Sequence, residues 1–280
     1  MLNPKLNLYT GLSSLFGFSN LFLYRQRLDY FSISSDLNVF THTWSLGVEE
    51  QFYMFFPFLI WFSGVFRYKK GLRNFLIIIS TMAIFSLLSF IYQYSTTHSA
   101  AYFLMHNRFW EIAFGSILFF LVNVKLQFYE NYKKISPNII IISIISILFL
   151  PLKYAVFSTI SVVFLTGLLI LFLDKSTFLF KLFSNKFIVY IGLLSYSLYL
   201  WHWGILSISR WTIGIHWWSI PFQILIIFFV SKLSYDLIES PLRKKLWITK
   251  NPDLIVKLFS LSPLEKADTP LMSLINFRCA

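Results

Sequence analysis

The sequence predicts an all-α protein, a polytopic transmembrane bundle of about eight helices. Three observations carry this. The chain of 280 residues is 57% hydrophobic and 13% charged, where an ordinary soluble domain is roughly 45–50% apolar and roughly 25% charged. Its 33 Phe outnumber its 24 Lys and Arg, so too few charges exist to coat a water-facing surface. The charges that do occur fall in short clusters between apolar runs. The composition also excludes disorder, which needs low hydrophobicity with high charge. A single cysteine, Cys279, excludes a disulfide framework.

Taken against the roughly 20 residues that cross the hydrocarbon, the apolar runs place spans at 8–24, 51–66, 75–93, 109–124, 139–151, 157–173, 187–208 and 216–239. The fifth is short and closed by Pro151, which fits a tilted or N-terminally extended helix. Fifteen basic residues lie before span one and after spans two, four, six and eight, from Lys5 to Lys250, against five in the alternate loops. The positive-inside rule then puts both termini in the cytoplasm of a multi-pass plasma-membrane protein. The net charge of +12 is thereby a topology signal, and nucleic acid is not expected as a partner; the lipid bilayer is. The first residues, MLNPKLNLYT, do not read as a secretory signal peptide. The five His are not spaced for metal binding. Residues 251–280, with three Pro and scattered charge, read as a short tail.

Ionisable groups are expensive in a bilayer, so the polar residues near the spans are where chemistry is expected. Before span two stand Thr41, His42, Thr43, Trp44, Ser45, then Glu49 and Glu50. Ser45 can cap the helix with the glutamates near its positive end. Alternatively one glutamate faces the bundle interior, since adjacent residues lie about 100° apart on a helix. At the start of span four, Arg108 and Glu111 are three residues apart and can pair on one face, either as a structural ion pair or as a pair that orients a substrate. Span seven brings Trp201, His202 and Trp203 towards the outer interface. The tryptophans fit an aromatic belt; His202 fits either a structural or a catalytic role. All of these groups map to one outer half of the bundle, which predicts a shared pocket of His42, Glu49, Glu50, Arg108, Glu111 and His202.

These residues also carry a resemblance. The run from Thr41 to Tyr53, THTWSLGVEEQFY, resembles the HTWSL-x-VEEQFY signature of the type 3 membrane acyltransferases. NRFWEIAFG (107–115), GLLSYSLYLWHW (192–203) and SYDLIESPLR (234–243) resemble three further motifs of that family, in order. Gly204 stands where a proline is usual. The resemblance makes residues 1–250 one membrane acyltransferase domain. It implies a ten-helix fold and transfer of an acyl group, usually acetyl, from acetyl-CoA or another acyl-CoA to a hydroxyl of a cell-surface or envelope glycan such as an O-antigen. The acyl-CoA is a donor substrate, and no bound cofactor or metal is implied. His42, Glu49, Glu50, Arg108, Glu111 and His202 are the catalytic candidates, and Trp44, Ser45 and Trp201 are the substrate-binding candidates. The family's base histidine lies in a first helix that has no counterpart here, since residues 1–24 match the third helix. The chain is therefore expected to lack two helices. His42 occupies a position where the family also has a histidine, and so supports that base rather than replacing it. An inactive remnant and a flippase or transporter of lipid-linked glycan are the other readings, the latter disfavoured by the lack of inverted repeats.

Overall fold

The computed structural model describes residues 4–26, 36–65, 68, 70–124 and 135–244. The tail at 251–280 and several of the basic loop residues counted above, such as Arg67 and Lys125, lie outside the described residues. Helices α1 (Pro4–Leu15) and α2 (Ser19–Arg25) come first, then a 3₁₀ turn at Thr41–Thr43 that leads into α3 (Trp44–Ser63). Next are α4 (Gly71–Thr96), the short α5 (His98–Phe103), α6 (Met105–Val124), α7 (Pro137–Leu148) and α8 (Ala155–Phe172). The chain continues through α9 (Phe178–Phe183), the long α10 (Lys186–Thr212) and α11 (Ile220–Ser234). A π-helical turn at Tyr235–Glu239 joins α11 to α12 (Ser240–Lys244). No strand occurs among the described residues.

Four helical stretches, Gly71–Thr96, Leu152–Phe172, Lys186–Thr212 and Ile220–Arg243, are long and apolar enough to cross a membrane. Seven of the eight apolar runs each contain a helix. The first run does not form one continuous span, which corrects the reading of 8–24. It breaks at Gly17, which takes φ +70°. The Phe18 N–H bonds the Ser13 carbonyl and the Gly17 N–H bonds that of Ser14, the paired bonds of a Schellman stop. A Cβ at Gly17 would sit 2.5 Å from Glu50 Oε2, so the break also lets α2 lie close against α3.

An aromatic core joins α3, α4 and α6 through Phe52, Leu59, Phe75, Ile79, Phe109 and Ala113, with Phe75 and Phe120 ring centroids 4.9 Å apart. A smaller cluster of Phe90, Ala101 and Trp110 continues it. The outside of the bundle is apolar too: Phe58, Phe62, Phe85 and Phe229 are all about two-thirds or more exposed. Polar groups are inside, with Thr10, Asn20, Asn38, Asn107, Ser197 and Ser207 essentially inaccessible. That inversion is what a hydrocarbon solvent demands, because side-chain polar groups have no water to bond there. Asn20 and Asn107 illustrate it. Their amides donate to the carbonyls of Phe103 (2.9 Å) and Ala100 (2.8 Å), satisfying the end of α5.

Candidate active site

Segment 36–43 reaches the site across the face of α10. Tyr199, Trp203, Ser207 and Trp211 recur every four residues, which places them on one stripe of that helix. Each donates to a main-chain carbonyl of the segment: Tyr199 Oη to His42 (2.5 Å), Trp203 Nε1 to Asn38 (2.9 Å), Ser207 Oγ to Asp36 (3.0 Å) and Trp211 Nε1 to Leu37 (3.0 Å). On the other side α1 and α2 hold the segment. Asn38 Nδ2 donates to Thr10 Oγ1 (2.9 Å), Ser14 and Thr43 share a hydroxyl bond (2.6 Å), and Ser19 Oγ donates to the Thr43 carbonyl (2.9 Å).

This seam fixes His42 against His202. The two rings are 5.6 Å apart, edge to face, and the Tyr199 ring lies 5.3 Å from His42. His42 is 4% exposed; the backbone of Leu200 and Val39 lies within its reach, but among the described residues neither ring nitrogen makes a well-aligned hydrogen bond. Burial, assisted by repulsion from His202, lowers its pKa from 6.5 to about 4, so this imidazole is neutral at physiological pH. His202 Nδ1 meets the carbonyl of Tyr199 at 2.7 Å and that of Leu198 at 3.2 Å. A carbonyl can only accept, so the bond assigns the proton to Nδ1 and leaves Nε2 with its lone pair, the arrangement of a general base.

Ser45 is not the helix cap. The helix starts at Trp44, with no side-chain cap bond at Thr43, and Ser45 Oγ bonds Tyr199 Oη at 2.6 Å. Since Tyr199 spends its proton on the His42 carbonyl, Ser45 is the donor. Its neighbour Trp44 turns to a second polar group. Arg108 Nη1 pairs with Glu111 at 2.7 Å, and its guanidinium lies 5.5 Å from the Trp44 ring and 5.3 Å from that of Tyr102, a cation–π box. The His42–His202 pair and the Arg108–Glu111 pair are thus joined through two consecutive residues. Glu49 and Glu50 are exposed, with Glu50 against Gly17 and both within electrostatic reach of Tyr196. Trp201 is 38% exposed, two residues from Tyr199 and hence on another face of α10.

The residues that sequence reasoning passed over are Tyr199, Asn38 and Glu239; Trp203, read there as part of an aromatic belt, is a donor of the seam. Glu239 accepts from Ser197 Oγ and from Arg243, both at 2.7 Å, inside the π-helical turn. The signal for the α10 stripe was present, as four donor-bearing side chains at intervals of four in an otherwise apolar span. Among the described residues no group of three or more His, Cys, Asp or Glu is placed to hold a metal ion.

Comparison with known families bears on the whole of this arrangement. The family model described as an acyltransferase domain, acyltransferase 3, matches residues 6–235. The chain belongs to the acyltransferase 3 family. Among curated relatives, "Putative O-acetyltransferase SACOL0978" of Staphylococcus aureus strain COL is 31% identical over 253 residues. The O-acetyltransferase OatA of strain NCTC 8325 is 32% identical over 259 residues. Each match covers 84% of this chain and 41% of the relative, so the chain spans less than half the length of these proteins. No solved structure matches. The acyltransferase 3 match takes in every residue of the His42–His202 and Arg108–Glu111 groups, whereas Glu239 and Arg243 lie just beyond it.

Proposed function

We propose that this chain is an O-acetyltransferase of the bacterial inner membrane, with both termini cytoplasmic. It moves an acetyl group from acetyl-CoA, or a related acyl-CoA, to a hydroxyl of a cell-surface or envelope polysaccharide. The reading is supported by the family and by relatives named as O-acetyltransferases. The observation that carries the chemistry is the pairing of two histidines in different states.

His202, with Nδ1 committed to a backbone carbonyl, stands in for the base that the resemblance assigns to a helix without counterpart here: it offers Nε2 to the acceptor hydroxyl and takes its proton as the oxygen attacks the thioester carbon. His42, buried and neutral, can donate an N–H to the oxyanion that forms. A neutral imidazole is a competent electrophilic donor in a buried site. The tetrahedral intermediate collapses, the C–S bond breaks, and the coenzyme thiolate leaves, receiving the proton held on His202. Tyr199 and Ser45 hold the His42 turn while this happens, and Trp44, Ser45 and Trp201 are candidates for contact with the sugar.

The test is the full chain in proteoliposomes given acetyl-labelled acetyl-CoA and an envelope polysaccharide. Alkali-labile label on the glycan is the expected result, abolished by His202→Gln. Absence of transfer to any hydroxyl acceptor, or unchanged transfer by His202→Gln, would overturn the reading.

A further inference from the structure

Two of the membrane-crossing stretches, Leu152–Phe172 and Lys186–Thr212, are joined by residues 173–185, an elbow that contains α9. So short a link stays at the membrane boundary, because both of its ends are fixed where the hydrocarbon stops. The elbow is also stiff. Thr177 Oγ1 accepts the Phe180 N–H at 3.3 Å and donates to the Asp174 carbonyl at 2.6 Å. Asn185 Oδ1 accepts the Phe187 N–H at 2.9 Å and caps α10, and the buried Leu179 pins α9 to the bundle.

Its outer surface carries two chemistries. Phe178 is 73% exposed, Leu182 40% and Phe187 69%. Phe178 and Leu182 are four residues apart and share one face of α9. Phe187 opens the exposed row Phe187, Tyr190, Leu193 of α10, so the apolar face runs on into the lipid-facing belt. Around it stand Lys175, Lys181 and Lys186, all exposed, against one acid in the elbow, Asp174. Water rejects the rings and hydrocarbon rejects the ammonium groups. Both are satisfied in the headgroup layer, where rings enter the acyl boundary and lysine stems reach back to phosphate. The excess of positive charge then selects the headgroup.

We infer that the 174–187 elbow is a docking surface for anionic phospholipid. Phe178, Leu182 and Phe187 insert at the acyl boundary, and Lys175, Lys181 and Lys186 hold the headgroup phosphates. The surface begins the helix whose stripe positions His42, and Lys186 lies about 24 Å along its axis from His202. It needs neither histidine and stands independently of the acyltransferase reading.

The probe is a bimane fluorophore on Ser184→Cys in a Cys279→Ser background, with the full chain in phosphatidylcholine vesicles holding a minor fraction of phosphatidylglycerol. Either lipid carries brominated chains at the same mole fraction, and quenching reports its local concentration. Phosphatidylglycerol should be enriched at the elbow by about fivefold or more over its bulk fraction, the worth of one or more surface lysines against anionic lipid. Salt at about 1 M should remove the enrichment, and so should the triple variant K175Q/K181Q/K186Q, whereas Lys153→Gln should leave it intact. Phe178→Ser should lower quenching by brominated phosphatidylcholine. Equal quenching by the two lipids in the unmutated elbow, or enrichment that survives the triple variant, would overturn the inference. Loss of the enrichment on adding coenzyme A would overturn it as well, by giving the lysines to the phosphates of a soluble ligand. The first and last of these outcomes are read without altering a lysine, so they decide the matter even if the triple variant fails to fold.

Discussion

The seam between segment 36–43 and α10 and the phenylalanine core of α3, α4 and α6 hold the same bundle together by opposite means. The core is a set of interchangeable contacts. Phe52, Phe56, Phe75 and Phe109 meet at centroid distances of 5.3–5.8 Å in stacked, tilted and T-shaped pairs, and in lipid such contacts act through packing rather than through removal from water. The seam is a set of addressed bonds, each from one donor to one carbonyl. Core packing fixes that helices associate, and the seam fixes where His42 stands. A single lost contact is shared among neighbours in the core, but in the seam it leaves a buried carbonyl without a partner.

The largest effect expected from this contrast is on catalysis. His202→Gln should lower kcat by about 10²–10⁴, with the melting temperature nearly unchanged, measured as acetyl transfer in proteoliposomes. A parallel loss of folding would show that the seam, rather than the base, had been removed.

Phe75→Ala, at a fully buried core position, should cost about 3–5 kcal/mol by denaturant titration in detergent. Residual activity per folded molecule should be close to wild type. A specific loss of activity would mean that the core also sets site geometry.

Acid should act on the seam through His42. His42 has a folded pKa of about 4 against 6.5 unfolded, so the unfolded chain binds the extra proton first. Stability therefore falls as pH drops from about 6.5 to about 4 and loses no more below that. The full loss is about 3 kcal/mol at 1.36 kcal/mol per pH unit. His42→Gln should flatten this part of the pH–stability curve, and an unaltered curve would remove the buried neutral imidazole from the account.

The smallest effect is structural. Trp203→Phe keeps the ring but removes the bond to the Asn38 carbonyl, and should cost about 1–3 kcal/mol, visible as faster amide exchange in residues 36–43. Exchange that accelerates equally in α4 would show that core and seam melt as one unit.

Most of the helices were legible in the sequence because hydrocarbon imposes a length and a composition on them. The break at Gly17 was not, since one glycine inside an apolar run is compatible with an unbroken helix; its surrounding Ser13, Ser14 and Ser19 were the available hint. In the site, His42, His202 and the Arg108–Glu111 pair could be named from their cost in a membrane and their spacing. The bond from Ser45 to Tyr199 spans 154 positions, and no local pattern encodes a distance of that kind. Trp201 and Tyr199 show the same limit: both were aromatic, near the interface and on one helix, and only packing decided which one turned to the site.

The hydrogen bonds of the α10 stripe to the segment 36–42 end on main-chain oxygens, and only the His42 ring adds side-chain contact, with Tyr199 and Trp203. A side chain there can change without altering what the stripe grips, so long as the backbone keeps its path. The mouth of the site is in this sense a cast taken from a helix: its shape is stored in Tyr199, Trp203, Ser207 and Trp211, over 150 residues away along the chain.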